Sequence, residues 1–392
     1  MSSLNELKLL PDDPILGLID LYRQDRRLHK IDLGIGIYKD AQGNAPIMTA
    51  VKQAEAWLLA SQRTKAYTPT EGAAGFTESL AALVFGSGFT RVQGVQTPGG
   101  TGAVRLAAEF ARRAGARSVL IGTPTWAIHH SIFANASIAT YSCQHLDDDG
   151  SFNFDALMAG MSSLDAGDMV LLQASCHNPT GIDPAAEHWN AILREVESRR
   201  LTPVFDLAYQ GFGDGLDEDA AAVRLFAERL PLVLVATSCS KNFGLYRERT
   251  GALFIAGDSQ SRLAVIKSHL IDLARCIWSM PPAHGAEVVG LILRSPELTG
   301  VWREEVEAMR ARIVGLRAAL ISELEAQDVH GFGHLARQRG MFSNLDCPPE
   351  RVRQLRDEHA VYAVGSGRLN VSGLSLANIG VVASALRDST AG

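Results

Sequence analysis

LVLVATSCSKNFGLYRERTGALFIA, Leu232 to Ala256, contains two runs, Leu232–Ser238 and Gly251–Ala256, in which apolar residues follow one another instead of alternating with polar ones. A strand that is apolar on both faces belongs to a sheet covered on both sides. Four more strand-like runs precede it: Ser118–Gly122 (SVLIG), Ile138–Cys143 (IATYSC), Met169–Ala174 (MVLLQA) and Thr202–Asp206 (TPVFD). Helical patterns fit between them. Gly102–Ala114 stops at Gly115, a natural C′ residue, and Pro184–Arg200 starts with Asp183 as the expected N-cap and Pro184 at N1. Strands alternating with helices predict an α/β fold, with a mostly parallel sheet sandwiched by helices. After Ser295 a long helical stretch to about Gln327 precedes short runs around Gly340–Leu345, Val361–Val364 and Arg368–Val371, which predicts a smaller α+β domain. The expected division is a small domain of residues 1–45 and 310–392, with an N-terminal arm over 1–12, and a large ligand-binding domain of residues 46–309.

The chain has 392 residues, enough for about two to three domains at roughly 150 residues each. With 46% hydrophobic and 20% charged residues and a mean hydropathy of +0.04, it groups with globular proteins rather than disordered or fibrous ones. A net charge of −6 leaves no basic excess for a nucleic-acid backbone. No apolar run approaches the roughly 18 residues of a membrane span. The opening MSSLNELKLLPDDP lacks the basic-then-apolar order of a signal peptide. Five scattered cysteines with no C-x-x-C suit reduced thiols in the cytoplasm. With seven lysines against thirty arginines, a lysine at an apolar strand end stands out.

Ligands of an open α/β sheet sit beyond the carboxyl ends of its strands. Lys241 lies just past Leu232–Ser238. In a confined, partly apolar site an ammonium loses stability, and such a lysine becomes a nucleophilic amine. In isolation the segment suits a surface turn equally well. Arg249 follows eight residues later, before the next strand. Asp206 ends its strand, with Tyr209 three residues on. A buried carboxylate needs a cationic partner, such as a protonated pyridine nitrogen, although a helix cap or a structural ion pair is the commoner use. Gly99, Gly100, Thr101 and Gly102 precede the helix at Ala103 and offer N–H groups and a hydroxyl to an anion, while Arg105 at the third glycine position breaks the dinucleotide pattern. Trp126 follows Ser118–Gly122 and can stack on a planar ring or plug a gap. Asn178, pushed out of helical conformation by Pro179, can aim its amide at a ligand or serve a plain turn. His129-His130 and His330…His334 lack a third ligand at metal spacing, so no metal is expected. A phosphate loop, an aromatic, an amide, an acid, a lysine and an arginine thus occur in order, each after a successive strand. Together they are the inventory of a pyridoxal phosphate site.

On these residues the sequence resembles the class I aminotransferases of pyridoxal-phosphate fold type I, within the bacterial aspartate/aromatic aminotransferase group. The resemblance covers essentially the whole chain. It is carried by IDLGIGIYKDAQGNAP (Ile31–Pro46), TKAY (Thr64–Tyr67), TPGGTGA (Thr97–Ala103), CHNPTGIDP (Cys176–Pro184), FDLAYQGFGDGLDEDA (Phe205–Ala220), SCSKNFGLYRERTG (Ser238–Gly251), PPAHGA (Pro281–Ala286) and GSGRLNVSGL (Gly365–Leu374). It implies that Lys241 holds pyridoxal 5′-phosphate covalently and later moves the substrate proton. Asp206 would partner the pyridine nitrogen, Asn178 and Tyr209 the ring's phenolic oxygen, and Trp126 the ring face. Gly100, Thr101, Ser238 and Arg249 would cradle the phosphate, and Tyr67 would reach the phosphate of the neighbouring subunit in a homodimer. Arg368 would clamp the substrate α-carboxylate, Gly36 would line the substrate pocket, and Arg275 would reach across the dimer to a side-chain carboxylate. The implied reaction is transamination between amino acids and 2-oxo acids such as 2-oxoglutarate.

Arg275 favours dicarboxylates. Yet Ala66, Ile128 and Met280 stand where aspartate-restricted members usually carry asparagine, and Gln173 where they carry histidine. A less polar pocket favours a large apolar side chain, so the expected enzyme serves both aromatic amino acids and aspartate or glutamate. A strict aspartate aminotransferase is the alternative. Decarboxylation or elimination on the same fold is a third reading.

Overall fold

Val233 and Val235 pack into one hydrophobic cluster and Leu234 and Ala236 into another, and all four are fully buried. The same alternation holds one strand over, where Phe205 belongs to the first cluster and Val204 to the second. The two clusters are the two faces of one sheet, and both are covered, which is why the strands read as unbroken apolar runs. The computed structural model describes residues 8, 9 and 14–389. The expected arm over 1–12 therefore lies almost wholly outside the described residues.

In chain order the elements are α1 (Pro14–Gln24), β1 (Ile31–Asp32), α2 (Thr49–Ser61), α3 (Phe76–Phe85), β2 (Val92–Pro98), α4 (Gly99–Arg113), β3 (Ser118–Thr123), α5 (His129–Asn135), β4 (Ala139–Gln144), α6 (Phe154–Ser162), β5 (Met169–Gln173) and α7 (Ala186–Arg199). They continue with β6 (Thr202–Leu207), α8 (Ala221–Arg229), β7 (Leu232–Ser238), β8 (Thr250–Gly257), α9 (Gln260–Ile277), α10 (Ala283–Arg294), α11 (Pro296–Ala326), β9 (Phe342–Asn344), α12 (Pro349–His359), β10 (Val361–Tyr362), β11 (Arg368–Asn370) and α13 (Ile379–Asp388). Seven strands form the main sheet in the order β2-β8-β7-β6-β5-β3-β4. All run parallel except β8, which is antiparallel to both β2 and β7. Helices α4, α5 and α9 cover one face, and α7, α8 and α10 are among those on the other.

All six expected strands are present. The seventh strand, β2, is not among the expected ones, because its glutamines, Gly94 and Pro98 interrupt the apolar run. Its buried glutamine is nonetheless satisfied: Gln96 accepts from Ala73 N at 2.8 Å and donates to Pro282 O at 2.7 Å. Two helix starts also differ. The expected helix at Gly102 begins at Gly99, so the glycine-rich stretch is the first turn of α4 itself. Asp183 is not a helix cap, because α7 begins at Ala186. The Asp183 carboxylate turns back instead and accepts from Cys176 N at 2.7 Å and His177 N at 2.8 Å, holding the loop after β5.

Short strands build the rest. β9 pairs antiparallel with β11, and β1 pairs in parallel with β10, which joins the N-terminal region to the C-terminal one. The long helix has Ser295 as its N-cap, accepting from Leu298 N at 3.3 Å. It runs unbroken through residue 309, where the division between large and small domains was expected.

Candidate active site

Because β2, β3, β5, β6 and β7 are mutually parallel, their carboxyl ends meet at one edge of the sheet. Antiparallel β8 brings its amino end there instead, with Thr250 opposite Pro98 and Gly251 opposite Ser238. That reversal is how Arg249, which precedes a strand, joins residues that follow strands. Beyond this edge lies a cavity lined by Gly100, Thr101, Trp126, Gln173, Asn178, Asp206, Tyr209, Ser238, Ser240, Lys241 and Arg249.

Each wall has a local cause. Gly99 adopts φ +72°, and a Cβ there would come within 2.7 Å of the Arg249 guanidinium. The absence of a side chain thus lets that guanidinium lie over the helix N-terminus, where free N–H groups already favour an anion. Arg249 donates to Tyr246 O at 3.1 Å and touches Ser240 Oγ at 3.4 Å. Ser238 Oγ accepts from Ser240 N at 3.2 Å.

Asp206, buried at the end of β6, is held from behind. Its Oδ2 lies 3.1 Å from His129 Nε2, and His129 Nδ1 lies 2.8 Å from Thr125 Oγ1. Asp206 Oδ1 takes no hydrogen bond among the described residues. Gln173 extends the chain: its amide nitrogen donates to Thr125 Oγ1 at 3.3 Å and to Asn178 O at 3.1 Å, while its oxygen accepts from Asn178 N at 2.8 Å. His129 has no metal spacing in the sequence, and it serves the site as a support instead. Its position three residues after Trp126, in the first turn of α5, was the available signal.

Lys241 Nζ sits 4.9 Å from the Tyr209 ring centre and has no hydrogen bond or ion pair among the described residues. Burial, reinforced by the nearby Arg249 and Arg368 cations, outweighs the pull of Asp206 and lowers its pKa to about 8. Burial likewise raises the Tyr209 phenol well above its ordinary value.

Arg368, on β11, is buried and reaches the same cavity rim. It donates to Asn178 Oδ1 at 3.2 Å and to Gly34 O at 2.8 Å, lies 4.2 Å from the Phe342 ring centre, and leaves Nε without a partner. Gly36 passes close by, since a Cβ on it would come within 3.1 Å of Phe342 Cζ. Two residues named from the sequence are not brought to this cavity within the protomer. Tyr67 is 90% exposed, and Arg275 lies exposed on α9 with its guanidinium on Ser279 Oγ.

Residues 29–386 match the profile of the family described as aminotransferase class I and II. The chain belongs to that family. The aromatic-amino-acid aminotransferase of Pseudomonas aeruginosa is 48% identical over 396 residues, covering 98% of each chain. The aspartate aminotransferase of Escherichia coli K12 is 41% identical, covering 96% of this chain and 97% of the other. In three dimensions the aromatic-amino-acid aminotransferase of Burkholderia pseudomallei, solved covalently bound to pyridoxal phosphate, superposes with a TM-score of 0.96 at 38% identity, covering 99% of this chain and all of its own. This aminotransferase is accordingly a pyridoxal 5′-phosphate enzyme of the α/β class I fold.

Proposed function

We propose that this aminotransferase moves the amino group of phenylalanine, tyrosine and aspartate or glutamate to a 2-oxo acid such as 2-oxoglutarate. The observation that carries the reading is a pair of cations at one site: Lys241 lines the cavity, and Arg368 donates to Asn178 of its wall. Lys241 offers an unpartnered amine of lowered basicity, and Arg368 offers a buried guanidinium with an unused N–H.

The residues present fit the cofactor. Gly100, Thr101, Ser238 and Arg249 would hold its phosphate, Trp126 its ring face, Asn178 and Tyr209 its phenolic oxygen, and Asp206 Oδ1 its ring nitrogen. Pyridoxal phosphate supplies an aldehyde for the amino group and a ring that accepts electron density when the Cα–H bond breaks. The chain supplies the rest. Arg368 binds the α-carboxylate through two parallel N–H groups, which fixes the direction of the Cα–H bond. The freed Lys241 amine would take the proton from Cα as a base and then, as an acid, deliver it to the aldehyde-derived carbon of the cofactor, a task suited to a pKa near the working pH. The Asp206 carboxylate, steadied by His129, favours a protonated ring nitrogen. Lys241, Asp206 and Tyr209 make up the catalytic group in this reading.

Apolar Ile37, Ile128 and Met280 would receive an aromatic side chain, and Arg275 a side-chain carboxylate. Relatives named for aromatic and for aspartate substrates support the dual range. Exposure of Tyr67 and Arg275 on the protomer supports a homodimer in which each completes the neighbour's site. Five free thiols support a cytoplasmic location, and no helix among the described residues is long and apolar enough to cross a membrane. The test is direct: the purified protein should carry an absorbance band of the bound cofactor that bleaches with phenylalanine and with aspartate, releasing the matching 2-oxo acids. Activity with aspartate but none with phenylalanine or tyrosine would reduce the reading to a strict aspartate aminotransferase.

A further inference from the structure

The segment Leu33–Lys39 (LGIGIYK) runs past Arg368, and several of its hydrogen bonds go to β11 and the turn after it. Arg368 donates to Gly34 O at 2.8 Å, and Asn370 N donates to Leu33 O at 2.6 Å. The Asn370 side-chain nitrogen donates to both Ile35 O and Ile37 O at 2.7 Å. Ser372 Oγ lies 3.2 Å from Ile37 O and accepts from Lys39 N at 3.3 Å. Asp32 closes the segment on itself, accepting from Gly34 N at 3.0 Å and from Lys39 Nζ at 2.8 Å.

Leu33 N also donates to Tyr362 O on β10 at 2.9 Å, and one further bond points the other way, toward the cavity. Tyr38 N donates to the Tyr246 hydroxyl at 2.8 Å, and Tyr246 belongs to the loop that carries Lys241. Among the described residues it is the single hydrogen bond between Leu33–Lys39 and the strand-end loops that form the cavity. We infer that the Tyr246 hydroxyl is a positioning strut, which sets the distance between the Lys241 loop and the segment that orients Arg368, and so the room for a substrate side chain. The inference rests on the roles proposed for Lys241 and Arg368.

The physics is local. Tyr38 is 7% exposed, so its N–H is nearly out of reach of water and needs a protein partner. A rigid phenol supplies it across the gap between two loops. Burial pushes the Tyr246 pKa up to about 12, so the hydroxyl stays neutral through the working range. Without that oxygen the segment would keep its ties to β10, to β11 and the turn after it, and to Asp32, but would have no hydrogen bond to the cavity loops among the described residues. Gly34 and Gly36 carry no side chain to brace them, and a shift at Gly34 O passes directly to the Arg368 guanidinium. The strut therefore acts on substrate binding through Arg368, rather than on the proton transfer at Lys241.

Tyr246→Phe removes one oxygen and keeps the ring, so the holoenzyme should fold and retain its cofactor absorbance and melting temperature closely. Hydrogen exchange followed by mass spectrometry should show the 33–39 peptide exchanging about tenfold faster, with the 238–249 loop unchanged. Losing one neutral hydrogen bond is worth about a fivefold effect. KM for phenylalanine and for aspartate should accordingly rise about fivefold, with kcat within about twofold. Unchanged exchange in the 33–39 peptide overturns the strut. So does a fall in kcat at constant KM. The exchange measurement needs no substrate, so it judges the strut even if the proposed substrates prove wrong; absence of any transamination in the wild type would defeat the functional reading instead.

Discussion

His129 Nε2 lies 3.1 Å from Asp206 Oδ2, and His129 is fully buried behind it. A carboxylate only accepts, so the Nε2 proton points at Asp206, and Nδ1 is left to accept from Thr125 Oγ1 at 2.8 Å. One Asp206 oxygen is thereby committed to the protein and the other is left for the cavity. A hydrogen bond to a charged group contributes about 1.5–3 kcal/mol. His129→Ala should therefore lower the single-turnover transamination rate by about 10- to 100-fold, and Asp206→Asn should lower it further while cofactor still binds. Near-normal single-turnover kinetics in Asp206→Asn would remove that carboxylate from the mechanism.

Lys241→Ala should fold and lose turnover by more than the roughly 10²–10⁴-fold expected for a lost general acid–base group alone. More than about a tenth of wild-type activity without added amines contradicts the assignment. The lowered pKa adds a pH signature. Only the neutral amine attacks an aldehyde, and its fraction rises as pH passes the pKa. The cofactor-free protein should thus capture pyridoxal phosphate at a rate that climbs around pH 8, instead of near the 10.5 of an ordinary lysine. Stopped-flow absorbance against pH measures this, and a midpoint above about 10 would mean that burial does not act on Lys241 as described.

Arg275 and Arg368 should separate by substrate. Leaving a buried carboxylate or guanidinium unpaired costs about 2–5 kcal/mol. Arg275→Leu should cut kcat/KM for aspartate by about 10²-fold or more while phenylalanine changes less than about tenfold. Arg368→Leu should damage both, because every amino acid presents an α-carboxylate. Equal damage to both substrates by Arg275→Leu would make Arg275 a structural residue.

Shared sites predict complementation. Arg368→Ala and Arg275→Ala, each impaired with aspartate alone, should regain aspartate activity on mixing as hybrid dimers with one intact site. Sedimentation showing a fully active monomer would end that reading.

Much of the fold was legible because it follows from local pattern. A strand buried on both faces must be apolar at consecutive positions, and Leu232–Ser238 and Gly251–Ala256 are. β2 escaped because Gly94 and Gln96 answer to distant neighbours: a Cβ on Gly94 would come within 2.6 Å of the Phe254 ring, and Gln96 bonds Ala73 and Pro282. The strand-end residues Asp206, Lys241, Asn178 and Trp126 were legible by the same logic, since a strand's carboxyl end marks the ligand edge of an open sheet.

What the sequence alone determined, then, is the order of strands and helices and the chemical types delivered to their ends, because periodicity and strand-end position are properties of a few neighbouring residues. Only the tertiary structure decided which of those groups converge. Antiparallel pairing of β8 brings Arg249 to the ligand edge. Folding of β11 against the Gly34 loop carries Arg368 to Asn178, 190 positions away in the chain. Burial of His129 behind Asp206 turns a histidine with no metal spacing into a support. Those relationships depend on strand direction, on packing between distant segments and on exclusion of water, none of which is a property of residues that are neighbours in sequence.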